Sequence, residues 1–429
     1  MAQPGPEYPF CRRLIQGPSP SFIRELAASR YPLAMYEKGL EQGASAYGHG
    51  GYISIPELPA GVAVRSSCYP EIIDESAYVR ILAPAGGWLS AGTLEELAAC
   101  AEDYGRGLVH LTSGGTIEFY TTRAQMVATA RKLNAAGLDV GSTGDDLRCL
   151  TACCGPARCE MALVDAPALA TYLGQRFIDE QQYPGYPQKV KSGVSGCPND
   201  CIRAMMQKDH SFIGVYRDVP RIDHETLTVW LQKGGDLDRL IAACPAGALS
   251  RSEAAAEGDA ERGNLDGDRS FADGEVLAIN ATREKPGAAG RLQSFAMNSG
   301  RQAGGRKLPV ETDVQAPPAP SLVIDAGKCR RCMACINLCP AIRPGRERGV
   351  AWVAGGKYGH RGAGGPMVGY VLVPFIPIKD GDYTAIGDLY GAFLEFWADN
   401  ARKKERVGDF ITRIGPRRVL EELGWKRSQ

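Results

Sequence analysis

The chain has 429 residues and carries 49 Lys+Arg against 49 Asp+Glu, a formal net charge of zero. Such a length suggests two or three domains, and the charge balance argues against a general nucleic-acid binder, which carries a basic excess. Apolar residues at 44% and charged ones at 23% are ordinary for a globular chain. No apolar run approaches a membrane span, the longest (Met367 to Ile378) being broken by Gly369, Pro374 and Pro377, and the N-terminus has no hydrophobic signal core. A soluble, cytoplasmic protein with no membrane span and no nucleic-acid partner is expected.

Residues 1–75 are rich in Gly and Pro, with helical patches such as Ser21 to Arg30, and read as an N-terminal wrapping arm. From 76 to 138 the pattern becomes strand (Tyr78 to Leu82), helix (Thr93 to Tyr104, with Thr93 near its cap), strand (Leu108 to Thr112), strand (Thr116 to Tyr120) and helix (Arg123 to Ala136). Such units make α+β layers with helices on one face of a sheet. Val140 to Val215 alternates Gly-rich loops with short helices. A strand-like His224 to Trp230 and a helix over Asp236 to Ala243 follow. Arg251 to Pro320 has little to bury and is expected to be a disordered or loosely draped insertion. The chain ends in two expected helices, Gly387 to Glu405 and Arg417 to Leu423.

Fourteen cysteines are too sparse for a disulfide scaffold, and most fall in three short windows. In a reducing compartment that clustering favours metal or iron–sulfur ligation. Cys329, Cys332, Cys335 and Cys339, followed by Pro340, form C-x2-C-x2-C-x3-C-P, the bacterial ferredoxin run. Cys244 in CPAGAL reads as the tail of a degenerate first run. Because the fourth cysteine of each run serves the other cluster, the expected [4Fe–4S] ligands are Cys244, Cys329, Cys332 and Cys335, with Cys339 as the alternative. A structural zinc site is the rival reading, although zinc favours paired C-x2-C knuckles. A second set is Cys153 and Cys159 (C-x5-C) with Cys197 and Cys201 (C-x3-C, in SGCPNDC). Four thiolates from two loops can again hold a cube. Cys154 could replace Cys153, and core packing is the competing role for either pair. Cys11, Cys68, Cys100 and Cys149 read as packing residues.

The C-x5-C and SGCPNDC pair resembles the sirohaem-binding signature of sulfite and nitrite reductases. With Gly144 to Arg148 (GDDLR), Lys189 to Lys191 (KVK), the inserted ferredoxin run and Arg346 to Lys357 (RERGVAWVAGGK), the chain resembles the alpha subunits of dissimilatory sulfite reductases. The resemblance implies an α+β fold with sirohaem sulfite reductase-like α/β layers and an inserted ferredoxin-like [4Fe-4S] domain. The implied divisions are a ferredoxin-like half-domain over 76–138, a sirohaem and [4Fe–4S] domain over 139–235 and 350–429, and the ferredoxin-like domain over 236–349.

It also implies sirohaem and two [4Fe–4S] clusters. Cys153, Cys159, Cys197 and Cys201 would hold the first, with Cys201 bridging to the haem iron. The implied reaction is the six-electron interconversion of sulfite and sulfide, or a carrier-bound sulfur intermediate. Sulfite is a small dianion that needs fixed positive charge and proton donors, and Arg65, Arg80, Arg148, Lys189 and Lys191 are the candidates. For a lone cation, a surface role or pairing with a sirohaem carboxylate is the plainer reading. Implied partners are a beta subunit in an alpha2beta2 assembly, which would share the active site, and a small sulfur-carrier protein with C-terminal cysteines. The alternatives are a sirohaem nitrite or assimilatory sulfite reductase, and a non-catalytic iron–sulfur electron-transfer subunit.

Overall fold

The computed structural model describes residues 5–9, 12, 37, 51–52, 62–64, 76–105, 107–112, 114–122, 124–142, 145–182, 185–252, 321–358 and 365–424. Arg65, Cys11, Cys68, the Ser21 to Arg30 patch, nearly all of the expected arm and the expected insertion from 253 onwards lie outside these residues.

The strands are β1 (Gly51–Tyr52), β2 (Val62–Val64), β3 (Ser76–Leu82), β4 (His110–Leu111), β5 (Thr116–Thr122), β6 (Thr151–Ala152), β7 (Ser192–Ser195), β8 (His210–Tyr216), β9 (Arg221–Ile222), β10 (Leu249–Ser252), β11 (Ser321–Ile324), β12 (Ile342–Arg343), β13 (Arg348–Ala354) and β14 (Tyr370–Pro377). The α-helices are α1 (Ala91–Tyr104), α2 (Met126–Ala135), α3 (Ala166–Arg176), α4 (Ile178–Gln182), α5 (Ala204–Gln207), α6 (His224–Gln232), α7 (Leu237–Ala242), α8 (Ala334–Leu338), α9 (Thr384–Asn400), α10 (Val407–Ile414) and α11 (Pro416–Glu422). The chain divides into two compact units: Met1–Val219 with Arg331–Met333 and Pro344–Gln429, and Pro220–Arg330 with Ala334–Arg343.

The first unit holds two five-stranded sheets. One is antiparallel, in the order β1-β2-β3-β5-β4. Val79 and Ile81 alternate inward from β3 onto Leu97, Cys100 and Ala101 of α1 and Ala130 and Leu133 of α2. With a period of two, Arg80 between them leaves by the opposite face. Helix α1 starts at Ala91 rather than Thr93, capped by Ser90, whose Oγ accepts the Thr93 amide at 3.0 Å.

The other sheet runs β14-β13-β8-β7-β6, with β6, β7 and β8 parallel and β8, β13 and β14 antiparallel. Parallel neighbours need a crossover, and α3 and α4 supply it between β6 and β7. The expectation of loops and short helices over 140–215 missed these strands. β7 is four fully buried residues (SGVS) with no alternation to betray it.

One core joins this sheet to its helices. Tyr390, Phe393 and Trp397 of α9, Phe410 of α10 and Val419 of α11 meet Phe212 of β8, Trp352 of β13 and Leu169 and Leu173 of α3. The aromatic rings meet edge to face, as Trp352 and Phe393 do at 5.5 Å and Phe393 and Phe410 at 6.4 Å. Three C-terminal helices replace the two expected: the first ends at Asn400, short of Glu405, and α10 lies between the two expected spans, closed off by Gly415 at φ +89.

The second unit contains the antiparallel pairs β10–β11 and β9–β12 with α6, α7 and α8. His224 to Trp230, expected as a strand, is helix α6. Asp223 accepts the Thr226 amide at 3.0 Å and the Thr226 hydroxyl at 2.7 Å, and this cap overrides the β-leaning TLTVW run. The second unit begins at Pro220. Among the described residues no helix is long and apolar enough to cross a membrane.

Candidate functional site

Strands β6 and β7 end in the two cysteine loops. Cys153 directly follows β6 and Cys197 closely follows β7, and the register pairs Thr151 with Gly193 and Ala152 with Val194. The Gly196 amide donates to Cys153 Sγ at 3.1 Å, and the Leu163 amide donates to Gly196 O at 2.7 Å, fastening one loop to the other. A Cβ at Gly214 of β8 would collide with Gly196 O, so this close backbone approach requires glycine. Asp200, at φ +41, accepts the Ser195 hydroxyl at 2.5 Å and the amides of Ala204 at 2.9 Å and Met205 at 3.1 Å, which fixes the C-x3-C turn.

Burial pushes the Cys197 thiol up, and charge on Cys159, Cys201 and Cys153 acts in the same direction. The four cysteines of the second set are therefore electrostatic neighbours, and Cys154, exposed like Cys201, also feels Cys153 and Cys159. Among the described residues no group of three or more His, Cys, Asp or Glu side chains is set to hold a single metal ion. What marks these cysteines is their loops and mutual electrostatics, and four thiols on two clamped turns fit a cube.

In the second unit, Cys244 follows α7 and accepts the Ala248 amide at 3.2 Å. Burial alone would raise its pKa, but the amides of Ala248, Ala246, Leu249 and Gly247 together hold it below the usual thiol range. Such a nest suits a thiolate ligand. Cys339 is fully buried and its thiol is pushed up by that burial. Cys244→Ser is therefore expected to remove the iron and acid-labile sulfide of one cluster, while Cys339→Ser retains them. Both are read by chemical analysis of the purified variants.

Cations collect at the opposite ends of the same parallel strands. The parallel bridge Leu147–Val190, with the Arg148 amide donating to Val190 O at 2.7 Å, sets Arg148 beside Lys189 and Lys191. Arg80 reaches in from β3: its Nη1 donates to Ser142 O at 2.7 Å, and Arg148 Nη1 donates to the same carbonyl. Both guanidiniums also face carboxylates, Arg80 with Glu118 at 3.0 Å and Arg148 with Asp146 at 3.2 Å. Behind them Arg406 clasps Asp209 at 2.9 and 2.6 Å, a pair almost wholly buried, and Asp209 accepts the Lys191 amide at 2.8 Å.

Lys208, which stands ahead of β8, was not anticipated from sequence, where it looks like any loop cation. It is 6% exposed. No hydrogen bond or ion pair reaches the ammonium of Lys189, Lys191 or Lys208 among the described residues. Burial, then Lys191, Arg148 and Arg406, lowers the Lys189 pKa to about 8 against the pull of Asp209; burial and then Lys191 lower Lys208 to about 8. Lys191 shifts down too, through burial and Arg406. The four residues of β7, at ~3.3 Å each, put about 13 Å of extended strand between the cations and this chain's own cysteine loops. The structure thus brings Arg80, Arg148, Lys189 and Lys191 together and keeps Cys197 and its partners apart from them.

Residues 143–429 match the family model "Nitrite and sulphite reductase 4Fe-4S domain", and 73–135 match "Nitrite/Sulfite reductase ferredoxin-like half domain". The chain is 27% identical over 439 residues to the dissimilatory-type sulfite reductase alpha subunit of Allochromatium vinosum, covering 97% of this chain and 89% of that one. Against the alpha subunit of Nitratidesulfovibrio vulgaris strain Hildenborough it is 25% identical, covering 96% and 89%. A crystal structure of dissimilatory sulfite reductase I superposes with a TM-score of 0.69 at 23% identity over 97% of this chain and 90% of that one, a likeness of fold. Since the first model alone spans well over half of the residues, the chain belongs to the nitrite and sulphite reductase family.

Proposed function

We propose that the chain is the alpha subunit of a dissimilatory-type sulfite reductase, catalysing the six-electron interconversion of sulfite and sulfide or a carrier-bound sulfur intermediate. The observation that carries this reading is the set of lysines without carboxylate partners, half-buried Lys189 and Lys191 and buried Lys208, gathered with Arg148 at the starts of parallel strands. Such a cluster suits a small dianion, and the alpha-subunit relatives bear the sulfite reductase name.

Arg80 and Arg148 would orient the oxygens, with Arg65 as a further candidate. Lys189 and Lys191 would bind the anion, and a lysine held near pH 8 can release a proton as oxygen leaves as water. Cys153, Cys159, Cys197 and Cys201 would hold a [4Fe–4S] cube, with Cys201 shared with sirohaem iron. Cys244, Cys329, Cys332 and Cys335 would hold a second cluster. When bound, sirohaem coupled to a cube would relay electrons from an external donor and supply a metal centre for the sulfur chemistry.

The separation along β7 supports an active site shared with a beta subunit in an alpha2beta2 assembly: the cations here would face a cofactor held by the other chain. A small sulfur-carrier protein with C-terminal cysteines would accept the product, and the assembly would work in the cytoplasm. Anaerobic turnover of the co-purified complex with a reduced viologen tests the reading. Sulfite-dependent oxidation of the dye supports it, while turnover of nitrite alone would favour the nitrite reductase alternative.

Because anion binding needs Lys189 protonated, the sulfite KM should stay level below about pH 8 and rise above it. Lys189→Arg, which keeps its proton, should make that rise shallower in a KM–pH profile, while Lys208, lowered to the same range, retains part of it.

A further inference from the structure

Lys208 is the buried charge that the proposed site leaves without a role. Its ammonium has no hydrogen bond or ion pair among the described residues. The adjacent carboxylate, Asp209, is already engaged by two nitrogens of Arg406, at 2.9 and 2.6 Å, and by the Lys191 amide at 2.8 Å. The Cys149 thiol offers no counter-charge either, since burial holds it up at about 11 and therefore neutral. A lysine buried in this way is costly to keep charged, so its retention calls for an anion that arrives from outside.

Its path points to where that anion would sit. A Cβ added at Gly193 would stand 3.1 Å from Lys208 Cγ and 3.5 Å from Cε, and 3.1 Å from Thr151 Oγ1. The lysine stem therefore occupies the slot that Gly193 leaves open. Gly193 and Lys191 are two residues apart on an extended segment, so both positions face the same way. Lys191 is also the charge that Lys208 feels most strongly.

We infer that Lys208 is a further anion-binding lysine: threaded over Gly193 from the start of β8, its ammonium joins Lys191 and Lys189 in holding the oxygens of the dianionic substrate. This rests on the sulfite reading above. The groups facing it are Lys191, Cys149 and Asp209. Lys208 and Lys191 thus approach the anion from two neighbouring strands, a placement that no single sequence motif encodes.

The test compares Lys208→Met, Lys208→Gln, Lys208→Arg and Lys191→Met in the co-purified complex. Sulfite affinity is read by isothermal titration, and the unfolding temperature is read without sulfite. Either neutral variant should weaken sulfite binding about 10-fold or more and raise KM more than it lowers kcat. Its unfolding temperature should be equal or higher, because an uncompensated buried charge is gone. Lys208→Arg, which keeps the charge but not the compact ammonium, should bind more tightly than either neutral variant and more weakly than the parent.

Unchanged affinity in both neutral Lys208 variants, with weakened binding in Lys191→Met, would overturn the inference while leaving the sulfite reading standing. A lowered unfolding temperature with unchanged affinity would make Lys208 a structural lysine. If Lys191→Met also binds sulfite normally, the anion site itself is wrong and both readings fall.

Discussion

Lys191→Met is expected to lower kcat/KM for sulfite by roughly a hundred- to a thousand-fold, the usual consequence of removing one preorganised donor from a site where charge must be met. The magnitude follows from placement. The Lys191 backbone is fixed at both polar atoms: its amide donates to Asp209 at 2.8 Å, and its carbonyl accepts from the His210 amide at 3.0 Å. The side chain therefore starts from a rigid strand end, close to Lys189, Lys208 and Arg148, and its charge is not spent on a carboxylate. Lys191→Arg should recover only part of the loss, because a planar guanidinium cannot take the place of a compact ammonium. Steady-state kinetics under anaerobic conditions give the ratio. A loss of less than about 3-fold would place Lys191 among ordinary surface cations.

Arg406→Met should be the most damaging single change to stability, costing about 3–5 kcal/mol, the range for stripping one partner from a buried ion pair. Arg406 and Asp209 are 4% and 0% exposed in their side chains, and the contact is bidentate. Without the guanidinium, Asp209 is left charged in the core next to His210, whose pKa burial has driven down to about 3 and which therefore offers no cation. Loss of the pair also loosens the Lys191 amide, so sulfite affinity should fall with stability. The double variant Arg406→Met with Asp209→Asn should regain part of the stability, since no buried charge then stands alone. Urea midpoints of the three variants decide this.

The chemistry-bearing residues were far easier to read in the sequence than the scaffold that presents them. The cysteine runs announce themselves by spacing, because ligands to one cluster must come from tight turns, whereas Lys189 and Lys191 were singled out through the family resemblance, which implies anion-binding residues at those positions. The helix–strand order of 76–138 was also legible, since Val79, Ile81, Leu97 and Ala101 keep the periods of an open amphipathic layer. The parallel strands were not. β7 reads SGVS and is buried on both faces, so it lacks the alternation that marks a half-exposed strand. The strand expected at His224 was lost to a local cap at Asp223, the kind of side-chain hydrogen bond that outweighs weak β preference. Lys208 and Arg406 were hidden for another reason: their roles depend on Gly193 and Asp209 from distant segments, and a burial cost is invisible until the fold is known.

The most direct test is the absorption spectrum of the anaerobically purified chain with its beta partner, with iron and acid-labile sulfide counts, recorded before and after sulfite. Sirohaem bands, iron for two cubes per chain and a sulfite-dependent shift that Lys191→Met abolishes are the expected result. Iron–sulfur absorbance without sirohaem bands, or bands indifferent to sulfite, would contradict it. The chain would then be an electron carrier whose clustered lysines serve some other anion.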